Sequence, residues 1–263
     1  MKIHDFYLKK SKQEKICMIT CYDYTSAKLL AETDVDCLLV GDSLAMTMHG
    51  FKDTLSATMT MMSLHTAAVS RGASNKFIVS DLPFLSYRKS LSESVAAVYE
   101  LMQAGANAVK LEGAAGNLEL IRHLVDSGVP VMGHLGLTPQ SVHMLGGYKV
   151  QGKTDASSAQ LKQDALALQE AGCFSLVFEC IPQQVAKEIT ALLTIPTIGI
   201  GAGPDTDGQV LVYQDLLGLN PEFKPRFVKS FAAGTDFVKQ GIESYVKAIH
   251  QGEFPTHEHS FNH

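Results

Sequence analysis

The chain has 263 residues, of which 46% are hydrophobic and 19% charged, and its formal net charge is −5 at pH 7. This is the composition of a globular protein rather than a disordered one, and an acidic balance without a basic patch argues against nucleic-acid binding. No apolar run reaches the ~18 residues of a membrane span, and the N-terminus lacks the apolar core of a signal peptide. Five cysteines without a C-x-x-C pair predict free thiols in a reducing compartment, so we expect a cytoplasmic protein.

Eight short apolar segments predict β-strands. Most of them are apolar almost throughout, which is typical of strands that are covered on both faces. In chain order they span residues 16–20, 36–41, 77–80, 107–111, 129–133, 173–178, 195–200 and 209–213, and the eighth has the weakest pattern.

Longer segments with helical periodicity separate these strands. Three of them end at Gly105, Gly128 and Gly172, and glycine accommodates the left-handed turn that closes a helix. The predicted helices span residues 22–33, 60–71, 91–104, 117–127, 156–171 and 183–193.

The alternation of strand and helix predicts one parallel sheet with right-handed crossovers. Eight strands, in a chain close to the ~250 residues typical of the fold, favour closure into a (β/α)8 TIM barrel, an α/β fold. An open, doubly wound sheet is the alternative. We expect residues 1–263 to form a single barrel domain with a C-terminal helical extension from about residue 215, including amphipathic segments near 225–233 and 236–250.

Two connections are longer than simple strand-to-helix loops. They span residues 42–59 and 134–155, and each follows the C-terminal end of a predicted strand. Long ordered loops in compact domains are usually functional, and TIM-barrel enzymes carry out their chemistry at this end of the strands. We therefore expect the active site at the strand ends beside these two loops.

Three acidic residues end or follow predicted strands, namely Asp42, Asp81 and Glu112. Three carboxylates that converge at a barrel mouth repel one another unless a cation lies among them. Ligation by oxygen alone suits a hard cation such as Mg²⁺. The alternative for each residue is a helix cap or an acid of a surface loop.

Two basic side chains lie in similar positions. Lys110 is two residues from Glu112 on the same strand, so both side chains share a face. If that face lines the barrel, Lys110 can bind an anionic group while Glu112 faces the metal, and a mutual ion pair is the alternative. His134 follows the fifth strand, where a neutral imidazole can donate a hydrogen bond to a substrate oxygen, although a structural histidine is the alternative.

Glu179 follows the sixth strand in SLVFEC, the most apolar surroundings of any acid in the chain. Such surroundings disfavour the charged form of a carboxylate and make it a better base near neutral pH. A buried, unpaired glutamate without a purpose is rare, so we predict a general base. The run GIGAG at residues 199–203 can let the backbone approach a ligand, but it lacks the G-x-G-x-x-G spacing of a dinucleotide site.

Taken together, these segments resemble the 3-methyl-2-oxobutanoate hydroxymethyltransferase family, also called ketopantoate hydroxymethyltransferases. The resemblance runs from about residue 15 to the C-terminus, and its most specific part is HLGLTPQS followed by GGYKVQG. The chain departs from the family pattern at Ala45, where glycine is usual, and over residues 51–59. Other matching stretches are ITCYDYTSAKL, LLVGDSLAM, VSDLPF, AGANAVKLEG, SLVFECIP and IPTIGIGAGPDTDGQVLV.

The resemblance implies a (β/α)8 barrel that binds Mg²⁺ and transfers a one-carbon unit from 5,10-methylenetetrahydrofolate to 3-methyl-2-oxobutanoate. It also implies a role in pantothenate biosynthesis and a homodecamer. The family's metal ligands correspond to Asp42, Asp81 and Glu112, and its proton acceptor corresponds to Glu179. Its substrate-binding positions correspond to Ser43, Asp81 and Lys110, with Asp42 and His134 beside them.

Three other functions fit parts of the pattern. The nearest is a different Mg²⁺-dependent enolate enzyme on the same barrel, such as a carbon–carbon lyase or a phosphoenolpyruvate mutase, which folate dependence would separate. A barrel that only binds or assembles would be expected to lose the strand-end carboxylates. A sugar-phosphate barrel that uses GIGAG as a phosphate loop would not explain Lys110 and Glu112 beside two further acids.

Overall fold

The computed structural model describes residues 1–222 and 225–261. The chain divides into two compact units, Met1–Val212 and Tyr213–His263. The first unit contains every residue of the predicted site, and the second contains the C-terminal extension. The assignment of residues 1–263 to a single domain stays a prediction.

The first unit is built around a closed barrel of eight parallel strands in sequential order, so the predicted (β/α)8 barrel is confirmed and the open sheet is wrong. The eighth strand also forms, and it pairs with the first and the seventh. The strands are β1 Ile16–Thr20, β2 Cys37–Val40, β3 Phe77–Asp81, β4 Ala108–Glu112, β5 Val131–Gly136, β6 Ser175–Glu179, β7 Thr197–Ile200 and β8 Gly208–Leu211.

Helices follow the strands, and several begin at side-chain caps that the sequence encodes. Ser90 and Glu93 form a reciprocal capping box, and Thr154 accepts from the backbone N–H of Ser157. The helices of this unit are α1 Ile3–Ser11, α2 Tyr24–Ala31, α3 Leu44–Thr47, α4 Met59–Gly72, α5 Leu91–Gln103, α6 Leu118–Asp126, α7 Val142–Leu145, α8 Asp155–Glu170 and α9 Gln183–Leu192. The long loops also contain the short 3₁₀ turns Thr54–Ser56 and Pro139–Ser141.

Helix α1 was not predicted, and it lies against the N-terminal end of the barrel. Its Phe6 is fully buried, and its ring meets Phe77 and Phe174 edge-on at centroid distances of 5.3 and 5.1 Å. These rings belong to the same core cluster as Ile16 and Met18 at the start of β1. The helix therefore closes the end of the barrel opposite the predicted site.

Replacing Phe6 with alanine is expected to lower the free energy of unfolding by about 3–5 kcal/mol, the usual cost of truncating a buried phenylalanine. Urea unfolding followed by circular dichroism measures this change. Leu8→Ala on the same helix is the matched control, because Leu8 is 39% exposed and a loss below about 1 kcal/mol is expected. Equal losses in the two variants would contradict the closing role of Phe6.

Alternation along the strands places the predicted site residues inside the barrel. Phe77 and Val79 belong to the core cluster, so Asp81 on the same strand faces the same way. The strand register then sets Asp81 beside Lys110, Glu112 beside His134, and Gly136 beside Glu179. Four neighbouring strands thus bring these side chains to one end of the barrel.

Within its described residues, the second unit contains two helices, α10 Tyr213–Leu216 and α11 Gly234–His250, and a 3₁₀ turn at His257–His259. Helix α11 covers the amphipathic segment 236–250, whereas the segment 225–233 forms turns and bends and no helix. Within the unit, the hydroxyl of Thr235 donates to the carbonyl of Gly218 at 2.7 Å. None of the helices in the described residues is long and apolar enough to cross a bilayer.

Candidate active site

The barrel mouth gathers the strand-end residues into one buried cluster. Asp81, Glu112 and Glu179 are the last residues of their strands, Asp42 lies two residues after β2, and His134 lies within β5. Relative exposures are only 3–4% for Asp42, Asp81, Glu112, His134 and Lys110. Glu179 is the exception, because it is partly exposed. Because buried charge is costly unless it is paired, the partners of each group decide what the cluster can do.

Lys110 forms an ion pair with Asp81, with 2.9 Å between Nζ and Oδ1. Burial alone would lower the pKa of Lys110, but the charges of Asp81, Glu112 and Asp42 raise it above its usual range. The ammonium group is therefore charged at neutral pH. Lys110 therefore pairs with Asp81 on the neighbouring strand and not with Glu112 on its own strand, which was the alternative expected from the sequence.

The three acids outnumber the ammonium group that faces them. Burial, followed by the charges of Asp81 and Glu112, raises the pKa of Asp42 well above its usual value. Burial also raises the pKa of Asp81, although Lys110 offsets part of this effect. A cavity with excess buried negative charge and oxygen ligands is suited to a hard cation.

Direct ligands for such a cation are few. Across residues 1–222 and 225–261, no three or more His, Cys, Asp and Glu side chains converge as a complete set of metal ligands. Mg²⁺ usually takes only one or two carboxylates and keeps water or substrate oxygens in its other positions. The donor set therefore fits Mg²⁺ held by the acidic cluster, with water or substrate oxygens in its remaining coordination positions.

His134 lies between two acids. Its Nδ1 is 3.3 Å from Glu112 Oε1, and its Nε2 is 3.2 Å from Glu179 Oε2. Burial and the charge of Lys110 lower the pKa of His134, but the hydrogen bonds to both glutamates outweigh them and raise it to about 9. The neutral imidazole expected from the sequence stays a prediction, because the raised pKa favours the charged ring whereas the ammonium group of Lys110 lies 3.4 Å from Nδ1.

Glu179 differs from its sequence-based description as a buried, unpaired acid. Its side chain is 18% exposed and it is paired with His134. It stands at the open end of β6, where the apolar residues before it are buried and the carboxylate reaches the mouth. The neighbouring Gly136 has φ +96°, and a Cβ there would lie 2.2 Å from the carbonyl oxygen of Glu179, so only glycine lets β5 pass this residue.

Ser43 follows Asp42 at the start of α3, and its hydroxyl is 2.8 Å from the hydroxyl of Tyr22. Tyr22 is buried, and burial raises its pKa to about 12, so it stays a neutral hydrogen-bond partner. Its backbone carbonyl lies 2.5 Å from Nδ1 of His65. Sequence reasoning did not predict a site role for Tyr22 or His65.

Gln140 is a further site residue that sequence reasoning missed. Its side chain donates to Asp42 and its backbone N–H donates to Glu112, at 2.8 and 3.0 Å. A neutral amide in a loop has no distinguishing pattern in a single sequence. The only available signal was its position in the long loop 134–155, within the stretch HLGLTPQS.

Two of the three glycines of GIGAG are used for packing. A Cβ at Gly199 would meet the Thr206 hydroxyl at 2.7 Å, and one at Gly203 would meet the Gln183 side chain at 2.5 Å. Protein side chains occupy the space that these glycines open. The structure therefore gives no support to a phosphate loop at this position.

Comparison with known proteins identifies close relatives along the whole chain. The family model for ketopantoate hydroxymethyltransferase matches residues 1–257. A 3-methyl-2-oxobutanoate hydroxymethyltransferase of Bdellovibrio bacteriovorus is 58% identical over 260 residues, which cover 99% of both chains. One of Legionella pneumophila (strain Lens) is 55% identical over 262 residues, covering 99% of this chain and 100% of the relative.

Solved structures with a similar fold come from other enzymes. Phosphoenolpyruvate phosphomutase from Streptomyces platensis aligns with a TM-score of 0.65 at 12% identity, covering 94% of this chain and 88% of that one. Phosphonopyruvate hydrolase, solved in complex with oxalate and Mg²⁺, aligns with a TM-score of 0.61 at 12% identity, covering 98% and 93%. At these identities the similarity establishes the barrel fold alone.

The relatives decide between the functions that the sequence pattern left open. The mutase and hydrolase share only the barrel, whereas the hydroxymethyltransferases share more than half of the residues over nearly the full length. The acidic cluster that a barrel without catalysis would lose is also present. The chain therefore belongs to the ketopantoate hydroxymethyltransferase family, the transferases that act on 3-methyl-2-oxobutanoate in the first step of pantothenate biosynthesis.

Proposed function

We propose that the barrel mouth binds Mg²⁺ together with 3-methyl-2-oxobutanoate and takes the one-carbon unit from 5,10-methylenetetrahydrofolate. One observation carries this proposal: three buried carboxylates face a single buried lysine, with a more exposed carboxylate, Glu179, at the edge of the same cavity. The negative charges of these carboxylates exceed the positive charge that faces them, so a divalent cation can bind among them. The cluster also has a separate acid for proton transfer.

In this proposal Asp42, Asp81 and Glu112 hold Mg²⁺. When bound, the metal supplies Lewis-acid polarisation of the substrate's keto group. Asp81 is suited to a central position because its Oδ2 accepts from the backbone N–H of Asp42 at 3.1 Å, which ties the β2 and β3 ends together. A fold neighbour, phosphonopyruvate hydrolase, was solved in complex with oxalate, a small carboxylate, and Mg²⁺.

Lys110 and Ser43 bind the carboxylate of the keto acid. Lys110 is charged and buried, so a substrate carboxylate gains a strong, charge-assisted hydrogen bond there. The Ser43 hydroxyl is oriented by Tyr22, which leaves its other hydrogen-bonding direction for the substrate. Asp42 and His134 border the same substrate position.

Glu179 acts as the general base and removes the proton from C3, the carbon next to the ketone. The electron pair left on C3 forms the new bond to the methylene carbon of the folate donor, and both bonds of that carbon to the folate nitrogens N5 and N10 break in the course of the reaction. One water molecule is consumed overall, and its hydroxyl group ends on the transferred carbon. The C3 proton and the second proton of the water end on the two folate nitrogens. His134, 3.2 Å from Glu179, orients the carboxylate toward the cavity.

The two long loops offer a place for the folate donor. They enclose an open cleft of about 320 Å³, to which Lys52 and Asp53 contribute from one loop and Val142, His143 and Tyr148 from the other. Burial and the charges of Asp53 and Glu179 raise the pKa of Tyr148, so this ring lies within electrostatic reach of the proposed base. A flat pterin ring can stack on an aromatic side chain in this position.

Assembly and location are further parts of the proposal. A homodecamer rests on the family resemblance, and α11 has large exposed apolar side chains, such as Phe237 at 78% and Ile242 at 58%, that another chain can cover. A cytoplasmic location fits the cysteines, which are all free thiols.

Removal of divalent metal is expected to abolish formation of 2-dehydropantoate from 3-methyl-2-oxobutanoate and 5,10-methylenetetrahydrofolate. Purified protein is assayed with Mg²⁺, with excess EDTA, and with EDTA followed by excess Mg²⁺, and full recovery in the last sample controls for damage to the protein. Omission of the folate tests the donor in the same assay. Turnover that continues in EDTA would contradict the metal proposal, and turnover without folate would contradict the proposed donor.

A further inference from the structure

The neutral side chain of Gln140 lies inside the acidic cluster and has a hydrogen-bond partner for each of its polar atoms. It belongs to the 3₁₀ turn Pro139–Ser141 and is 6% exposed. Its Nε2 donates to Asp42 Oδ2 at 2.8 Å and to the Leu82 carbonyl at 2.9 Å. Its Oε1 accepts from the Tyr87 hydroxyl at 2.7 Å. The amide is thus held on both sides.

The backbone of Gln140 adds a second link to the site, because its N–H donates to Glu112 Oε2 at 3.0 Å. One loop residue therefore donates to two acids that come from different strands, Asp42 after β2 and Glu112 at the end of β4. In each carboxylate Gln140 engages one oxygen and leaves the other for further contacts.

The orientation of the amide is determined by its neighbours. The Leu82 carbonyl can only accept, so the nitrogen rather than the oxygen must face it, and the second N–H of that nitrogen then falls on Asp42. The Tyr87 hydroxyl accepts from the backbone N–H of Glu112 at 3.3 Å, so its own proton is directed to Oε1. Tyr87 therefore prevents the amide from turning over.

We propose that Gln140 is a positioning residue that sets the orientation of Asp42 and Glu112 for metal binding, and that Tyr87 acts through it. This inference rests on the proposed function, since the metal-binding role of the two acids belongs to that proposal. A neutral donor is the group such a position requires. A lysine or arginine would neutralise the acids and repel a cation, and a glutamate would add a further carboxylate facing the Leu82 carbonyl.

The inference also links the metal site to the loop 134–155. Gln140 and Tyr148 lie on the same loop, and Tyr148 borders the cleft proposed for the folate donor. Both contacts of Gln140 with the acids require that the loop be seated on the barrel mouth. The orientation of the acids and the shape of the donor cleft are therefore set by one loop position.

The test is calorimetric titration with MgCl2 alone, on the wild type and on Gln140→Met, Asp42→Asn and Gln151→Met. We expect Gln140→Met to bind Mg²⁺ about 10- to 100-fold more weakly, as is usual when a residue that orients a metal ligand is lost. Gln151→Met is the matched control with unchanged affinity, because the Gln151 side chain lies on the same loop and donates only to the Lys149 carbonyl. Thermal unfolding confirms that each variant folds.

The outcomes separate this inference from the proposed function. If wild type binds Mg²⁺ and Asp42→Asn loses it while Gln140→Met keeps full affinity, the positioning role is wrong and the metal site stands. If Asp42→Asn binds as well as wild type, the metal site itself is wrong. Should Gln140→Met fail to fold, Gln140→Asn replaces it, because the shorter amide cannot span Leu82 and Asp42.

A double-mutant cycle tests the role of Tyr87. Tyr87→Phe removes the hydroxyl that holds Oε1, so it should weaken Mg²⁺ binding by a smaller factor than Gln140→Met. In the Gln140→Met background the same substitution should have a much smaller effect, because the contact with Oε1 is already absent and only the 3.3 Å contact with the backbone N–H of Glu112 remains to be lost. If the double variant instead loses Mg²⁺ affinity by the product of the two single-variant factors, the conclusion that Tyr87 acts through Gln140 is wrong.

Discussion

Glu179→Gln is expected to lower kcat by about 10²- to 10⁴-fold, the range over which a positioned general base contributes. Glutamine keeps the shape of the side chain but has no basic oxygen to accept the proton from C3 of 3-methyl-2-oxobutanoate. Exchange of that proton in D₂O, followed by NMR without the folate donor, isolates this step. The exchange should be lost while the keto acid still binds in the presence of Mg²⁺.

The control for this variant is Glu188→Gln, the same substitution on helix α9. Glu188 is exposed and its carboxylate accepts only from the Gln184 side chain, so exchange should proceed at the wild-type rate. Because the assay omits folate, it reports on the base independently of the proposed donor. Wild-type exchange in Glu179→Gln would rule out Glu179 as the base.

Much of the barrel could be predicted from the sequence because its strands are buried on both faces. The continuous apolar runs identified all eight strands, including the weak last one, which begins at Gly208 rather than residue 209. The charged residues that interrupt these runs then marked the barrel mouth. Asp81, Glu112 and Glu179 each end a strand, so position along the strand was sufficient to bring them to one site.

Features that depend on contacts between distant segments could not be predicted. Helix α1 has a single fully buried residue, Phe6, and its polar sequence gives little helical pattern. Glu179 is paired with His134, which no single segment indicates, and Gln140 reaches Asp42 across 98 positions of the chain. These interactions arise from strand order and loop seating rather than from local pattern.

The cluster tolerates buried charge because each acid has at least one donor, and His134 and Gln140 each serve two acids. Burial of unpaired carboxylates would cost several kcal/mol each, so the donors are a condition of the fold as well as of the site. A metal ion would add to this arrangement rather than create it. The pairs are Asp81 with Lys110, Glu112 with His134 and the backbone of Gln140, Asp42 with the side chain of Gln140, and Glu179 with His134.

Asp81→Ala is expected to weaken Mg²⁺ binding, and with it Mg²⁺-dependent binding of the keto acid, by at least about 100-fold. This is the upper end of the losses seen when residues that only orient metal ligands are removed. The variant should also be less stable by about 3 kcal/mol, because it leaves the buried Lys110 without its ion pair. The remaining charges of Glu112 and Asp42 keep this cost at the low end.

Calorimetric titration separates the two effects when Asp81→Ala is compared with Asp207→Ala. Asp207 also pairs with a lysine, Lys10, at 2.7 Å, and it accepts from the backbone N–H of Thr197 at the start of β7, at the opposite end of the barrel. Its loss should reduce stability without changing Mg²⁺ affinity. Unchanged Mg²⁺ affinity in Asp81→Ala would show that Asp81 serves only to neutralise Lys110. A loss of Mg²⁺ affinity in Asp81→Ala but not in Asp207→Ala would place the metal at the barrel mouth.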